Sequence, residues 1–373
     1  MAKHAFLSAS SAHRWLNCPP SALECAGAAD APSTFAQEGT DAHELCEYKV
    51  NMALGRASPD PRDHLEYLCP EMECHSDEYA SYVMEQLEEA KRLCSDPVIM
   101  LEQRLDFSKW VPDGFGTGDC IIVADDILQI IDFKYGLGVM VDAYKNPQMM
   151  LYALGALEVF DGIYDINQVY MTIFQPRRDN VNTYICSKEE LYKWADEVLA
   201  PTAKLAMEGG GEYKAGDHCQ FCKIKATCRK RAEHNLEMAK YDFQAPNTMD
   251  ASDIADILPR IDELVSWAND VKEYALQQAL SGTKYDGFKL VEGKSNRKFT
   301  DEAAVADVVT KAGYDPYEKK LLGITAMTSL LGKKKFEELL GGLVFKPPGR
   351  PTLVTDADKR PEMNTATDDF NDN

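Results

Sequence analysis

The apolar residues of the chain follow two different spacings. Four segments repeat apolar side chains at intervals of three and four, which is typical of amphipathic or buried helices, at residues 37–54, 77–93, 147–160 and 188–207. Five shorter segments are rich in β-branched residues and bounded by turn-forming residues, which predicts strands, at residues 98–105, 118–123, 127–133, 166–174 and 181–186. The order of these elements predicts an α/β domain over residues 1–245.

The pattern starts again after Asn247. It predicts helices over 253–280, 302–312 and 325–340 and a β-hairpin over 287–299, which together predict a smaller α+β accessory domain at 250–345. Residues 346–373 are rich in Asp and have no apolar periodicity, so we expect a largely disordered tail.

Length and composition agree with two folded units. The chain has 373 residues, 40 Lys and Arg against 61 Asp and Glu, and a net charge of -21, which argues against loose binding of nucleic acid over the whole surface. No apolar run approaches the length of a membrane span and the N-terminus lacks a secretory signal, so we expect a cytoplasmic protein with no membrane contact. In a reducing compartment, the 11 cysteines favour metal binding over disulfides.

One stretch departs from the acidic balance. Between residues 319 and 350, seven basic residues face only Glu337 and Glu338; they are Lys319, Lys320, Lys333, Lys334, Lys335, Lys346 and Arg350. This stretch is either a solvated helix face or a surface that contacts DNA phosphates.

Two carboxylates face each other in the predicted hairpin of residues 118–133. A symmetric turn at Asp125 and Asp126 places Asp119 directly opposite Asp132, with Cβ atoms about 4.5 to 5.5 Å apart, and puts Lys134 on the same face. Because the flanking positions are apolar, the repulsion between the carboxylates is poorly screened, and a divalent cation such as Mg²⁺ relieves it. The adjacent ammonium can orient the attacking water or help another group deprotonate it, which suits phosphodiester hydrolysis. Alternatively, the two Asp residues cap strand ends and Lys134 pairs with one of them.

Three polar residues outside the hairpin join this pattern. His43 lies on the first long predicted helix, and Gln148 and Tyr152 lie one turn apart on one face of the helix that follows the hairpin. Glu102, on the preceding strand, is either a further acidic member of the site or a solvent-facing residue.

Together these residues resemble the PD-(D/E)XK nuclease superfamily, in particular its RecB-like branch. The matching positions, in chain order, are His43, Gly116, Asp119, Asp132, Lys134, Gln148 and Tyr152. The resemblance implies a restriction-endonuclease-like core with a mixed sheet flanked by helices. It also implies that His43, Asp119 and Asp132 bind Mg²⁺ or Mn²⁺, that Lys134 serves the nucleophilic water, and that Gln148 and Tyr152 position DNA or the lysine.

A second metal site is indicated by Cys219, Cys222 and Cys228, whose close spacing is typical of metal binding. The fourth ligand is not local. His218 or His234 would complete a Cys₃His zinc site, whereas Cys18 would complete a four-cysteine site.

Cys18 follows a Ser-x-Ser sequence and precedes a proline, and with the three later cysteines it resembles the iron-sulfur RecB-like nucleases of the AddB-like and CRISPR-associated groups. The resemblance implies a [4Fe-4S] cluster that joins the two ends of the nuclease domain. A Zn²⁺ ribbon is the alternative, and the remaining cysteines, Cys25 among them, are interpreted as buried or incidental thiols.

The resemblance implies a metal-dependent DNA nuclease, with an exonuclease that processes DNA ends in phage recombination or replication as the first hypothesis. Its partners would be DNA and a single-strand annealing protein or helicase, in the cytoplasm of a bacterial host. A structure-specific endonuclease fits the same residues. The alternative outside the enzymes is a non-catalytic DNA-binding or assembly protein with a structural metal.

Overall fold

The computed structural model describes residues 5–28, 34–237, 249–293, 297, 299–318, 320–345, 347 and 353. The chain divides into two compact units, one of Met1–Met238 with Glu263–Leu290 and one of Ala239–Asp262 with Val291–Asn373. The domain limits expected from the sequence stay predictions. Among the described residues, no helix combines the length and the apolar composition that a bilayer crossing requires.

The first unit is built on one five-stranded sheet whose strands lie in chain order. The strands are β1 (Val98–Asp106), β2 (Phe115–Ala124), β3 (Ile127–Phe133), β4 (Gln168–Gln175) and β5 (Asn180–Ser187). Strands β1, β2 and β3 form an antiparallel meander, β3 and β4 are parallel, and β4 and β5 are antiparallel. A parallel pair needs a crossover connection, which the helix between β3 and β4 supplies. This mixed sheet confirms the predicted α/β class.

The helices of this unit lie before, between and after the strands. They are α1 (Ala12–Asn17), α2 (Ser21–Ala26), α3 (Thr34–Ala53), α4 (Pro70–Leu93), α5 (Pro147–Phe160), α6 (Lys188–Trp194), α7 (Ala200–Glu208) and α8 (Arg229–Leu236). A π-helical turn, Ala195–Leu199, joins α6 to α7, so the predicted helix over 188–207 is continuous. The short helices α1 and α2 have no counterpart among the predicted elements, because one or two turns of helix leave no recognisable periodicity in the sequence.

Two hydrophobic cores cover the two faces of the sheet. Ile121 and Val123 of β2 point into the core that contains α5, while Cys120 and Ile122 point into the core formed with α3 and α4. The hairpin is therefore buried on both faces, as its sequence predicts. Helix α5 begins where the Asn146 side chain accepts hydrogen bonds from the first backbone amides, with proline in the first turn.

Helical structure also characterises the second part of the chain. It contains α9 (Ala251–Leu280), which has residues in both units, and then α10 (Glu302–Lys311), α11 (Ile324–Leu331) and α12 (Lys333–Leu340). Gly332, at φ 78°, separates α11 from α12, where the sequence predicted one helix.

The hairpin predicted over 287–299 is wrong for residues 287–293, 297 and 299, which form no strand. The described part of the accessory region is thus helical rather than α+β. Of the tail, the structure describes only residues 347 and 353, so its predicted disorder lies outside the described residues. The same holds for Lys319, Lys346 and Arg350 of the basic stretch and for the side chains of Lys333 and Lys334.

Candidate functional site

The two predicted carboxylates lie at the open end of the β2–β3 hairpin. Cys120 pairs with Ile131, and the same register continued by one residue places Asp119 across from Asp132, as predicted. The Oδ2 atom of Asp119 accepts a hydrogen bond of 2.7 Å from the backbone amide of Phe133. Asp132 is almost fully enclosed, with 2% of its surface exposed. Strand register alone therefore brings two acidic groups together at a place where water screens them poorly.

A hydrogen-bonded network connects Asp132 to three other predicted residues. The Nζ atom of Lys134 lies 2.8 Å from Asp132 Oδ2 and donates to Gln148 Oε1 at 3.2 Å. The Nε2 atom of Gln148 donates to Asp132 Oδ1 at 3.3 Å and to the Tyr152 hydroxyl at 3.1 Å. Because Gln148 and Tyr152 are one helical turn apart on α5, the helix presents both to the same strand end.

Gly116 is the position at which Tyr152 approaches the sheet. A Cβ atom on residue 116 would lie 2.6 Å from Cε1 of Tyr152, closer than two carbon atoms can approach. The absence of a side chain at Gly116 lets the ring approach β2 closely, while its hydroxyl accepts a hydrogen bond from Gln148. This gives a physical reason for a glycine three residues before Asp119.

His43 reaches the carboxylates from the other side of the sheet. It lies on α3, with Nδ1 3.4 Å from Asp119 Oδ2 and its ring edge-on to Phe133 at 5.5 Å between centroids. Burial works to lower the pKa of His43, but the negative charges of Asp119 and Asp132 outweigh it and raise the pKa to about 9. The same contact holds the pKa of Asp119 below its usual value against the effect of burial.

Glu102 belongs to this site, although the sequence left its role open. It lies between the β1–β2 pairs Leu101 to Cys120 and Gln103 to Gly118, and so directly across from Asp119, with a left-handed φ of 47°. Partial burial and the charge of Asp119 raise the pKa of Glu102 to about 8.

The donor set suits a divalent cation. Ligand atoms of His43, Glu102 and Asp119 all lie within 4.8 Å of one another, and one imidazole nitrogen with two carboxylates suits Mn²⁺ or Mg²⁺. The predicted set named Asp132 where this group has Glu102. The difference has a structural reason, because Lys134 and Gln148 already engage both oxygens of Asp132.

The four cysteines of the second predicted site come together although they are far apart in sequence. Cys18 follows α1 and Cys228 precedes α8, while Cys219 lies in the short 3₁₀ turn Asp217–Phe221 and Cys222 directly follows that turn. All four line one small cavity of about 20 Å³. The structure thus brings the two ends of the first unit together at this cavity.

Basic side chains surround these thiols. Arg14, Lys225 and Arg231 line the same cavity, and both arginines are buried. Arg14 donates to the Ser21 hydroxyl at 2.9 Å, and Arg231 donates to Asp270 at 2.6 Å. Burial raises the pKa of Cys219, and the hydrogen bond with Cys25, together with burial, raises the pKa of Cys222, so a bound metal would have to displace these protons.

The spacing of the thiols differs from that of the carboxylate site. Within the described part of the chain, His43, Glu102 and Asp119 are the one group of three or more ligand atoms that gather within 4.8 Å. A single tetrahedral zinc ion, with Zn–S distances of about 2.3 Å, would bring its sulfurs within roughly 4 Å of one another. Among the described residues, no three of the predicted ligand sulfurs gather within 4.8 Å of one another.

Cys25 was interpreted as an incidental thiol, but it lies at the edge of this group. Its Sγ atom is 3.6 Å from Cys222 Sγ and accepts a hydrogen bond from the Lys223 backbone amide at 3.3 Å. The hydrogen bond with Cys222 lowers the pKa of Cys25 to about 6, although burial opposes the shift. Cys25 is therefore a fifth thiol in contact with the predicted ligand set, and no local spacing in the sequence signals it.

The two histidines weighed as fourth ligands differ in position. His218 lines the cavity, and its Nε2 atom lies 2.9 Å from the Lys214 carbonyl oxygen. His234 instead lies beside Glu263, with 3.5 Å between Nε2 and the carboxylate. Cys18 is thus the better placed partner for Cys219, Cys222 and Cys228.

Comparison with known proteins gives a family but no activity. A solved structure titled "Crystal structure of SSO0001" aligns with 50% of this chain and 95% of its own, at 13% identity and a TM-score of 0.22, a score too low to say anything about the fold. The model of the family described as "Protein of unknown function (DUF2800)" matches residues 4–361. Because this match spans nearly the whole chain, the protein belongs to the DUF2800 family.

Proposed function

We propose that this protein is a Mg²⁺- or Mn²⁺-dependent deoxyribonuclease of the PD-(D/E)XK type, with a RecB-like arrangement of its site. The observation that carries the proposal is the convergence of the residues singled out from the sequence. His43, Asp119, Asp132, Lys134, Gln148 and Tyr152 come from α3, the hairpin and α5 and meet in one cluster of contacts. Glu102 joins them.

The position of each side chain indicates its role in hydrolysis. A divalent cation bound by His43, Glu102 and Asp119 would neutralise phosphate charge and lower the pKa of a bound water. Asp132 fixes the Lys134 ammonium at 2.8 Å, and Gln148 holds both partners from the other side. The Lys134 Nζ atom therefore has one defined position beside the carboxylates.

The protonation state of Lys134 decides its role. Burial works to lower its pKa, but the adjacent Asp132 and then Asp119 raise it above the ordinary value. The ammonium accordingly stays charged at neutral pH. It can orient a water molecule or stabilise negative charge on a phosphate oxygen. Because it stays protonated, Lys134 cannot be the general base that accepts a proton from water.

Within this reaction class we favour an exonuclease that processes DNA ends, which rests on the RecB-like resemblance. A structure-specific endonuclease would use the same residues. The non-catalytic hypothesis is less favoured, because a buried carboxylate beside a second, half-buried acid and a half-buried ammonium is costly to keep unless the arrangement is used. The cysteine cavity, with its basic lining, supports a [4Fe-4S] cluster as the second cofactor.

The test is cleavage of linear duplex DNA by the full chain with Mg²⁺ or Mn²⁺ and with a chelator. Asp119→Asn, which keeps the size of the side chain, should reduce cleavage by on the order of 1000-fold, since a metal ligand contributes several kcal/mol to the transition state. The matched control is Asp125→Asn, at the turn of the same hairpin, which should cleave like the wild type. Both variants should melt near the wild-type temperature.

Two results would contradict the proposal. One is metal-independent cleavage or no cleavage of any DNA by the wild type. The other is an Asp119→Asn variant that is as active as Asp125→Asn.

A further inference from the structure

We propose that residues 136–145, which we call the β3–α5 loop, form a platform that stacks on unpaired nucleobases of the strand being cleaved. This inference rests on the proposed function and narrows its substrate to DNA with single-stranded or frayed ends. It is carried by the exposure of the loop's apolar residues, by the way buried side chains hold the loop, and by its place beside the site.

The loop exposes an unusual amount of apolar surface for so short a segment. Leu137, Val139, Met140 and Tyr144 are each between 41% and 64% exposed. Single exposed apolar residues are ordinary on protein surfaces, but a contiguous group beside a functional site indicates a binding surface.

Buried polar residues fix this exposed segment. Gln175, only 1% exposed, donates hydrogen bonds of 2.8 Å to the carbonyl oxygens of Gly136 and Val139 and accepts one of 3.1 Å from the Val141 amide. The Ala143 amide donates to Asn182 at 2.6 Å. The Gln175 side-chain amide thus uses three of its four hydrogen-bonding positions to bind the backbone of the loop. The exposure of the apolar side chains is therefore imposed by the fold, and the platform needs little ordering when it binds.

The loop lies next to the proposed chemistry. Leu137 is three residues after Lys134, so their Cα atoms are at most about 11 Å apart, and Tyr144 is four residues before Gln148, at most about 14 Å away. Nucleotides of a B-form strand are spaced by about 3.4 Å, so these side chains are within roughly four nucleotides of a phosphate at the site. We therefore place the bases of the cleaved strand over this region.

Tyr144 is arranged as a stacking residue. Its ring packs edge-on against Tyr184, with 5.2 Å between centroids, and Lys145 Nζ lies 5.4 Å from its centroid. Tyr184 orients the ring from one side, while the exposed area remains available to a planar base. Lys145 supplies a positive charge within reach of the next phosphate.

The charge of the protein favours bases over duplex as the ligand. With a net charge of -21, the surface gains little from the phosphates that a duplex presents, and the two charges in the loop, Asp142 and Lys145, cancel. An unpaired strand also offers its base faces, which stack on aromatic and aliphatic side chains irrespective of sequence. A partner protein is the competing occupant, and the test separates the two.

The experiment measures the affinity of the full chain for three fluorescently labelled DNAs, in an Asp119→Asn background that prevents cleavage. The DNAs are a single-stranded oligonucleotide, a blunt duplex and an abasic oligonucleotide of the same length. Tyr144→Ala should weaken binding of the single strand by about 5- to 150-fold, the range for the loss of one base–aromatic stack. It should change abasic DNA less than 2-fold, since that strand has no bases to stack. Tyr144→Phe should behave as the wild type.

Ile163→Ser is the matched control. Ile163 is 75% exposed and follows the far end of α5, a helix of 14 residues and so about 21 Å long. Serine there should leave all three affinities within 2-fold. The platform is overturned if Tyr144→Ala weakens abasic and normal DNA alike, if it leaves single-strand binding unchanged, as a partner-protein surface would, or if Ile163→Ser weakens binding equally.

This design separates the two proposals. Wild-type cleavage without any selective effect of Tyr144→Ala would remove the platform and leave the nuclease. A selective effect on single-stranded DNA in a wild type that cleaves nothing would remove the nuclease and leave a nucleic-acid platform.

Discussion

The carboxylate site and the cysteine cavity are built in opposite ways. Apart from His43, the carboxylate site comes from residues 102–152, and its groups contact one another directly, as Lys134 does with Asp132. The cavity joins Cys18 to a segment about two hundred residues later. Its four predicted ligand thiols line empty space rather than contacting one another closely.

The difference teaches what each site contributes. Strand register places the two carboxylates, and His43 and Lys134 already balance their charge. A bound cation should therefore contribute to catalysis and add little to the stability of the fold. Thiols that meet only across the two ends of the unit gain a cross-link when a metal centre binds them, and closing so long a loop strongly restricts the unfolded chain. Changes at the first site should therefore cost activity, and changes at the second should cost stability.

The largest expected effect is at Cys18. If Cys18, Cys219, Cys222 and Cys228 hold a [4Fe-4S] cluster, anaerobically prepared protein should be brown, with about four iron atoms per chain. Cys18→Ser should lose the colour and destabilise the fold by about 2 to 5 kcal/mol, the scale of a lost cross-link. Iron analysis and thermal melting measure both.

Cys25→Ser sharpens this prediction, because Cys25 contacts Cys222 but does not line the cavity. It should keep the iron and lose at most about 1 kcal/mol, as for one hydrogen bond. If Cys25→Ser loses the iron and Cys18→Ser keeps it, Cys25 is the fourth ligand. Colourless protein with one zinc per chain would rule out the cluster.

An intermediate effect is expected at the two ligands that flank Asp119. His43→Ala should lower Mg²⁺-dependent cleavage by about 10- to 100-fold, with partial recovery in Mn²⁺, which accepts a reduced ligand set more readily. Glu102→Gln should raise the Mg²⁺ concentration for half-maximal cleavage, since it removes one charged donor of the group within 4.8 Å. The matched control is Gln103→Glu on the same strand. Unchanged Mg²⁺ dependence in Glu102→Gln would return the metal set to His43, Asp119 and Asp132.

The sequence predicted most of the first unit for physical reasons that can be named. Short apolar runs on both sides of the turn residues Asp125 and Asp126 predict a symmetric hairpin, so the opposition of Asp119 and Asp132 could be read from the chain. The one-turn spacing of Gln148 and Tyr152 fixes their common face in the same way.

The rest depended on contacts that no local pattern encodes. The place of Glu102 follows from the β1–β2 register, and the irregular loop 107–114, with Asp113 at φ 54°, hides that register. The hairpin predicted over 287–299 failed because alternation needs a neighbouring strand, and Phe288 and Phe299 are largely exposed instead.

The smallest effect should come from Tyr152, which supports the site without holding charge. Tyr152→Phe removes only the hydroxyl that accepts from Gln148, so cleavage should fall about 5-fold, the equivalent of one hydrogen bond of about 1 kcal/mol. Gly116→Ala should do more, because its Cβ would displace the Tyr152 ring and with it the Gln148 side chain that holds Lys134 and Asp132. Gly162→Ala, in open space beyond the far end of α5, is the control for a lost glycine. If Gly116→Ala were no worse than Tyr152→Phe, the ring would not position Gln148, and the carboxylate site would depend on strand register alone.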